Sequence, residues 1–215
     1  ISRVFALSSL VLALAFVNLA WQRLPLQLVQ IWLIATAVAS LLPVAVDLVK
    51  RWHAPLHPGL TTRQVEFMAV LLGATWAMLP ALFFDLASPS LRTFSGALLF
   101  AISGLGAFAF ARASGAAVAF VAMIAGATGL ASLKVGGEFG PAFAIAAGLY
   151  GLSLCAMVLI HHLKTRSALL AQMEIHRQKD VIAFLLNDFE DGTNDWLWET
   201  GTNFAFTYAS PKLAQ

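Results

Sequence analysis

Residues 139–160 read FGPAFAIAAGLYGLSLCAMVLI, a run without a single Asp, Glu, Lys or Arg. A bilayer core takes about 20 apolar residues per helix, with a usable range of about 17–25. Immediately after this run, His161-His162-Leu163-Lys164 marks a change of composition. Residues 1–163 hold eight Lys/Arg and four Asp/Glu, whereas the much shorter stretch 164–215 holds five and seven. The chain therefore divides here into an apolar part and a water-facing part.

Upstream of the division, five more charge-free runs appear, at residues 4–20, 24–46, 67–84, 94–111 and 113–133. A charge at mid-membrane costs about 2.5–3.5 kcal/mol on insertion scales, so such runs are the signature of spanning segments. In lipid the backbone must satisfy its own hydrogen bonds, which makes the spans helices. The alternating short strands of a barrel are not visible. The first run imitates a secretory signal, with Arg3 ahead of it and Ala13-Leu14-Ala15 as a mock cleavage site. Its apolar stretch is longer than a signal core and five runs follow, so it reads as a span. The first residue is Ile, and the sequence is expected to begin inside a longer protein.

Whole-chain composition agrees. Of 215 residues 60% are hydrophobic and 11% charged, against about 25% charged in an ordinary soluble domain. This excludes a soluble globular enzyme, a disordered chain and a disulfide scaffold. Net charge is +2, which gives no nucleic-acid signal. The single Cys155 says nothing of redox compartment.

Lys/Arg asymmetry sets the expected orientation. With the N-terminus inside, the inner segments carry Arg3, Lys50, Arg51, Arg63, Arg112, Lys164, Arg166, Arg177 and Lys179. The outer loops carry Arg23, Arg92 and Lys134. Both ends are then cytoplasmic, and the outer loops (21–23, 85–93 and 134–138) are too short for a large binding domain. Any stimulus would be read within the bilayer or at its face.

Intramembrane ionisable groups would point to a transport path. Asp47 and Glu66 lie at the inner ends of their spans beside Lys50, Arg51 and Arg63, where they read as interfacial positioning. The polar residues on offer are few: Gln27, Gln30, Thr36, Thr75, Ser103 and Thr128. Small residues at 103–107 and 126–129 permit close helix approach. In the third run, Trp76 and Pro80 combine a mid-membrane indole with a lost helix hydrogen bond, which predicts a kink and a candidate pocket. His161 and His162 point to different helix faces, and Pro55 separates His53 from His57, so no metal site is assigned.

Beyond Leu163 the pattern becomes that of a helix in water. Residues 166–189 contain no Gly or Pro. A stripe of Ala168, Ala171, Ile175, Gln178, Ile182, Leu185 and Phe189 steps by three and four, the spacing of a coiled-coil seam with Gln178 as a polar break. A parallel homodimer through this linker, residues 164–190, is expected. A turn at 191–195 leads to two strand-like runs, 196–200 and 204–209, joined by Gly201-Thr202-Asn203. Trp196, Trp198, Phe206 and Tyr208 would form their buried side. Ser210-Pro211 then opens a helix. Two strands cannot stand alone as a domain, so 191–215 reads as the start of one that continues past Gln215.

This last stretch resembles the opening of a PAS domain. The likeness rests on Asn187-Asp188-Phe189-Glu190, on Asp195-Trp196-Leu197-Trp198-Glu199-Thr200, and on 207–214 with Ser210-Pro211. It covers about 30 residues. It departs from many relatives at Thr202-Asn203-Phe204, where they place Asp/Asn-x-x-Gly-Arg. Taken with the six apolar runs and the linker stripe, the arrangement is expected to be an all-α bundle of six transmembrane helices (1–163), a cytoplasmic signalling helix (164–190), and, as the resemblance implies, the first hairpin of a truncated α+β PAS domain (191–215). It is similar to the input half of bacterial membrane sensors, most of all those with GGDEF and EAL domains that make and degrade cyclic di-GMP. That would place it in the bacterial inner membrane. Sensor histidine kinases share the layout, although His176 lacks a phosphoacceptor box. A small transporter is the competing class. A complete PAS domain can hold haem or flavin, but its pocket residues would lie past Gln215, so no cofactor or catalytic residue is assigned to this chain.

Overall fold

The computed structural model describes residues 3–53, 61–137, 139–192, 198–203 and 205–209. Within them are six helices and two strands: α1 (Arg3–Ala20), α2 (Leu26–His53), α3 (Thr62–Phe83), α4 (Pro89–Ala109), α5 (Ser114–Val135), α6 (Phe139–Gly192), β1 (Trp198–Thr200) and β2 (Phe206–Ala209). Two compact units result, residues 1–163 and 164–215.

Five helices, α2 to α6, are long and apolar enough to cross a membrane; the apolar part of α1, Val4–Ala20, is shorter. Their exposed surface suits lipid. On α1, Val4, Leu7, Val11 and Leu14 form an outward stripe, each more than half exposed, and Ile31, Ile34 and Val38 do the same on α2. So large a set of exposed apolar side chains would be an aggregation hazard in water.

Helix starts follow local chemistry. Thr61 caps α3 in a reciprocal box with Gln64, and Ser88 caps α4 with Pro89 in its first turn. The stretch 85–93, read from sequence as loop, therefore turns helical at Pro89. The end of α2 likewise runs past its apolar run to His53, carrying Asp47, Lys50 and Arg51 on its last turns. Pro80 falls in the last turn of α3, which continues unbroken to Phe83. The N–H that proline lacks is the one that would have paired with the Trp76 carbonyl one turn back.

In the first unit, α1, α2, α3, α5 and α4 each pack on the next and close a ring of five helices, with α3 against α5 the most extensive contact. Aromatic side chains fill it. Phe5, Phe110 and Phe120 meet with centroids 5.4–5.9 Å apart, and Trp32 sits between Phe16, Trp76 and Phe83. The membrane-length part of α6 lies against α4 and α5. Phe143 stacks on Phe100 at 5.7 Å, Tyr150 Oη donates to the Phe100 carbonyl at 2.9 Å, and Gly151 abuts Ala125.

Four buried hydroxyls are satisfied within their own helices. Ser95, Ser103, Thr128 and Ser132 each donate to the carbonyl four residues back, at 2.7 Å.

In the second unit α6 continues to Gly192, so Asp191 and Gly192, expected in a turn, are helical. Glycine at a helix end is the common stop. β1 and β2 pair antiparallel, Trp198 with Ala209 and Glu199 with Tyr208, with a bulge between Glu199 and Thr200. Gly201 N–H donates to the Ala205 carbonyl, and Asn203 Oδ1 accepts from Ala205 N–H, which closes the turn. Ala205, expected in the second strand, joins the turn, so that β2 starts at Phe206; Trp196, Leu197 and Phe204 lie outside the described residues.

Candidate functional site

A cleft of about 490 Å³ opens where α3 ends, α4 begins, α5 ends and α6 begins. Its apolar wall is Phe84, Pro89, Val135 and Phe143; its polar side is Ser90, Arg92, Thr93 and Ser132. Pockets of this volume take small molecules. Local geometry builds it. Gly136 and Gly137 both adopt positive φ, 69° and 78°, a region that costs glycine nothing. They reverse the chain between α5 and α6 in a few residues. Gly140 brings the start of α6 close to α5: a Cβ there would stand 2.8 Å from the Ser132 carbonyl oxygen. Arg92 is fixed from behind, its Nε donating to the Phe84 carbonyl at 2.6 Å. Among the described residues lining the cleft Arg92 alone is charged. Just outside the lining, Lys134 and Asp85 form an exposed ion pair.

A second polar feature lies inside the ring. Trp76 Nε1 donates to Ser9 Oγ at 3.0 Å, Ser9 meets Ser40 Oγ at 3.0 Å, and Trp32 Nε1 donates to the Thr75 carbonyl at 2.8 Å. These bonds tie α1, α2 and α3 together. Thr36 is fully buried nearby in sequence, and its Oγ1 has no hydrogen-bond partner.

Trp76 and Pro80, singled out as a kink or pocket, are both buried. Trp76 serves the packing of the ring, at 5.5 Å from Trp32, and the cleft is lined by other residues. The linker residues Ala171, Ile175, Gln178 and Ile182 are all exposed along α6, Ile175 and Ile182 by more than half; Leu185 and Phe189 belong to the same helix. Of the strand residues, Trp198, Phe206 and Tyr208 fall on β1 and β2, Phe206 with its side chain exposed in this chain. Trp196 lies outside the described residues. Gln27 and Gln30 are exposed, whereas Thr36, Thr75, Ser103 and Thr128 are buried, the last three with hydroxyls returned to their own helix backbones. Asp47 is half-buried and Glu66 exposed. Among the described residues no group of three His, Cys, Asp or Glu could hold a metal; His57 is outside them.

Sequence reasoning counted Arg92 as a loop charge and passed over Phe143 and the Gly136-Gly137 pair. The available signals were Ser88-Pro89, a helix start that places Arg92 in its first turn, and two consecutive glycines between apolar runs.

No family model, no curated protein and no solved structure matches this chain.

Proposed function

We propose that the chain is the membrane input region of a bacterial signal-transduction protein. In this reading α1 is the first of six spans, and both ends face the cytoplasm of an inner-membrane protein. The β1–β2 hairpin opens a PAS domain, and a cyclic di-GMP cyclase or phosphodiesterase module follows. The observation that supports it is α6. This helix contributes Gly140 and Phe143 to the cleft and continues without interruption to Gly192. Along residues 164–182 it exposes a row of apolar side chains with the spacing of a dimer seam. A stimulus that alters packing at one end of such a helix has a covalent route to the other. The relay needs two packing states separated by only a few kcal/mol.

Insertions of one, three, four or seven residues after Arg166 test it, made in the complete gene product with cellular cyclic di-GMP as readout. Seven preserves the heptad phase and retains regulation; one rotates the downstream helix and changes it. Indifference to all four overturns the relay. The coding sequence past Gln215 tests the output assignment separately: a histidine phosphoacceptor and ATP-binding module there would replace the cyclic di-GMP reading.

A further inference from the structure

The cleft between the starts of α4 and α6 has the chemistry of a receptor site, and its walls define what it would accept. We infer that it binds a small organic carboxylate with an apolar, preferably aromatic, body; this rests on the input-region reading only for its biological purpose. Four observations converge.

The first is volume: about 490 Å³ holds a small molecule and is too little for a whole phospholipid. The second is the wall. Phe84 and Phe143 face the space with Pro89 and Val135, so the body of the ligand is apolar, and ring edges and faces favour an aromatic one. The third is Arg92. With Nε held by the Phe84 carbonyl, the guanidinium plane is set in advance, and its two terminal nitrogens are the fork that matches a carboxylate. Ser90 lies on the same first turn of α4 with its hydroxyl 3.2 Å from Ser88 Oγ, whereas the Thr93 hydroxyl is spent on the Pro89 carbonyl at 3.1 Å, so Arg92 is the principal donor. The fourth is the backbone. α4 and α6 both begin at the cleft, and two helix N-termini place positive dipole ends there.

The nearby carboxylates do not occupy the same role. Asp85 is paired with Lys134 outside the lining. Glu138 stands in the chain between Gly137 and Phe139, outside the described residues, and the test includes it.

The arrangement also gives the ligand something to move. Phe143 fits against Gly96 so closely that a Cβ on Gly96 would fall 2.2 Å from its Cζ, and its ring stacks on Phe100. A ligand body pressed against Phe143 bears directly on the α4–α6 contact.

The experiment uses the whole chain in phosphatidylcholine nanodiscs, titrated with 3-phenylpropionate and with its neutral amide, 3-phenylpropanamide, by calorimetry. Saturable binding of the acid, with the amide weaker by about tenfold or more, is the expected result, since a charge-assisted hydrogen bond carries that much discrimination. Arg92→Gln should weaken the acid about tenfold to a hundredfold and Arg92→Lys less. Because Arg92 also braces the Phe84 carbonyl, Thr93→Trp provides an independent variant that fills the cleft from an exposed position, and it should abolish binding. Glu138→Gln should leave affinity unchanged or raise it, and Lys134→Gln should leave it within about twofold. Equal binding of acid and amide, or acid binding that survives both Arg92→Gln and Thr93→Trp, overturns the inference. So does loss of acid binding on adding phosphatidylglycerol to the nanodisc, which would assign the site to anionic lipid. None of these outcomes bears on the insertion series, so the ligand inference and the relay fail separately.

Discussion

The ring of Phe120 lies against the backbone of Gly106: a Cβ built on Gly106 would stand 2.1 Å from Phe120 Cε1. The other edge of the same ring reaches Gly73 on α3, where a Cβ would be 3.3 Å from Cδ2. One aromatic side chain from α5 thus fills the space between α3 and α4, and Phe5 of α1 completes the contact from the fourth side. The small residues of α4 read from sequence as close-approach positions; at Gly106 the approaching group is a ring.

Gly106→Ala should therefore destabilise the bundle by about 1–3 kcal/mol, the usual cost of overpacking a filled core. Gly126→Ala is the matched control. A Cβ there meets nothing within 4 Å, and alanine in a helix interior gains about 0.5–1 kcal/mol over glycine. Reversible unfolding in detergent micelles should lower the midpoint for the first and raise or leave it for the second. Adding Phe120→Leu should recover part of the Gly106→Ala loss.

The Trp76–Ser9–Ser40 chain predicts an asymmetry. Ser9→Ala removes the acceptor of a buried indole N–H and the partner of Ser40 at once, whereas Ser40→Ala removes one contact. Interhelical hydrogen bonds in membranes average about 0.6 kcal/mol, and an orphaned buried donor costs about 1–3 kcal/mol. Ser9→Ala should cost more than Ser40→Ala in the same unfolding assay.

Thr36→Val should go the other way. Its hydroxyl is buried without a partner, and valine has nearly the same shape. Removing an unsatisfied polar atom relieves about 1–3 kcal/mol of desolvation, so the variant should be at least as stable as the parent. A clear loss of stability would mean that the hydroxyl holds a buried water.

These contacts bear on what a sequence discloses. Charge-free runs placed the long apolar helices because insertion energetics act residue by residue, and each run carries its own signal. Which helix neighbours which is a property of pairs, and one strand of text does not write it. Trp76 was conspicuous as an indole in an apolar run, yet its partner Ser9 lies 67 residues away and carries no local mark. Arg92 was legible as a charge but not as a lining residue, since the cleft needs four helix ends at once. Pro80 was legible as a break in the hydrogen-bond ladder, and α3 nonetheless runs through it to Phe83.

Lys134 and Asp85 should matter little to stability. The pair is well exposed, 71% and 41%, so water and salt screen it, and such pairs contribute about 0–1 kcal/mol. Lys134→Ala should shift the unfolding midpoint only slightly, and the shift should vanish in high salt.

The linker predicts a pattern rather than a magnitude. In a Cys155→Ala background, single cysteines at 171, 175, 178 and 182 lie on one stripe of α6, while Arg177 and Asp180 lie on the opposite side of the same exposed helix. If two copies meet along the stripe, oxidation in native membranes should crosslink Ile175→Cys and Ile182→Cys several times faster than Arg177→Cys or Asp180→Cys. Gln178→Leu should strengthen the association, because a polar residue on a coiled-coil seam lowers stability while fixing register. Equal crosslinking at all six positions would mean that the apolar row of α6 meets no second copy. Leu169, Leu170 and Met173, each more than half exposed, would then need a partner elsewhere, because water alone does not favour so long an uncovered apolar face.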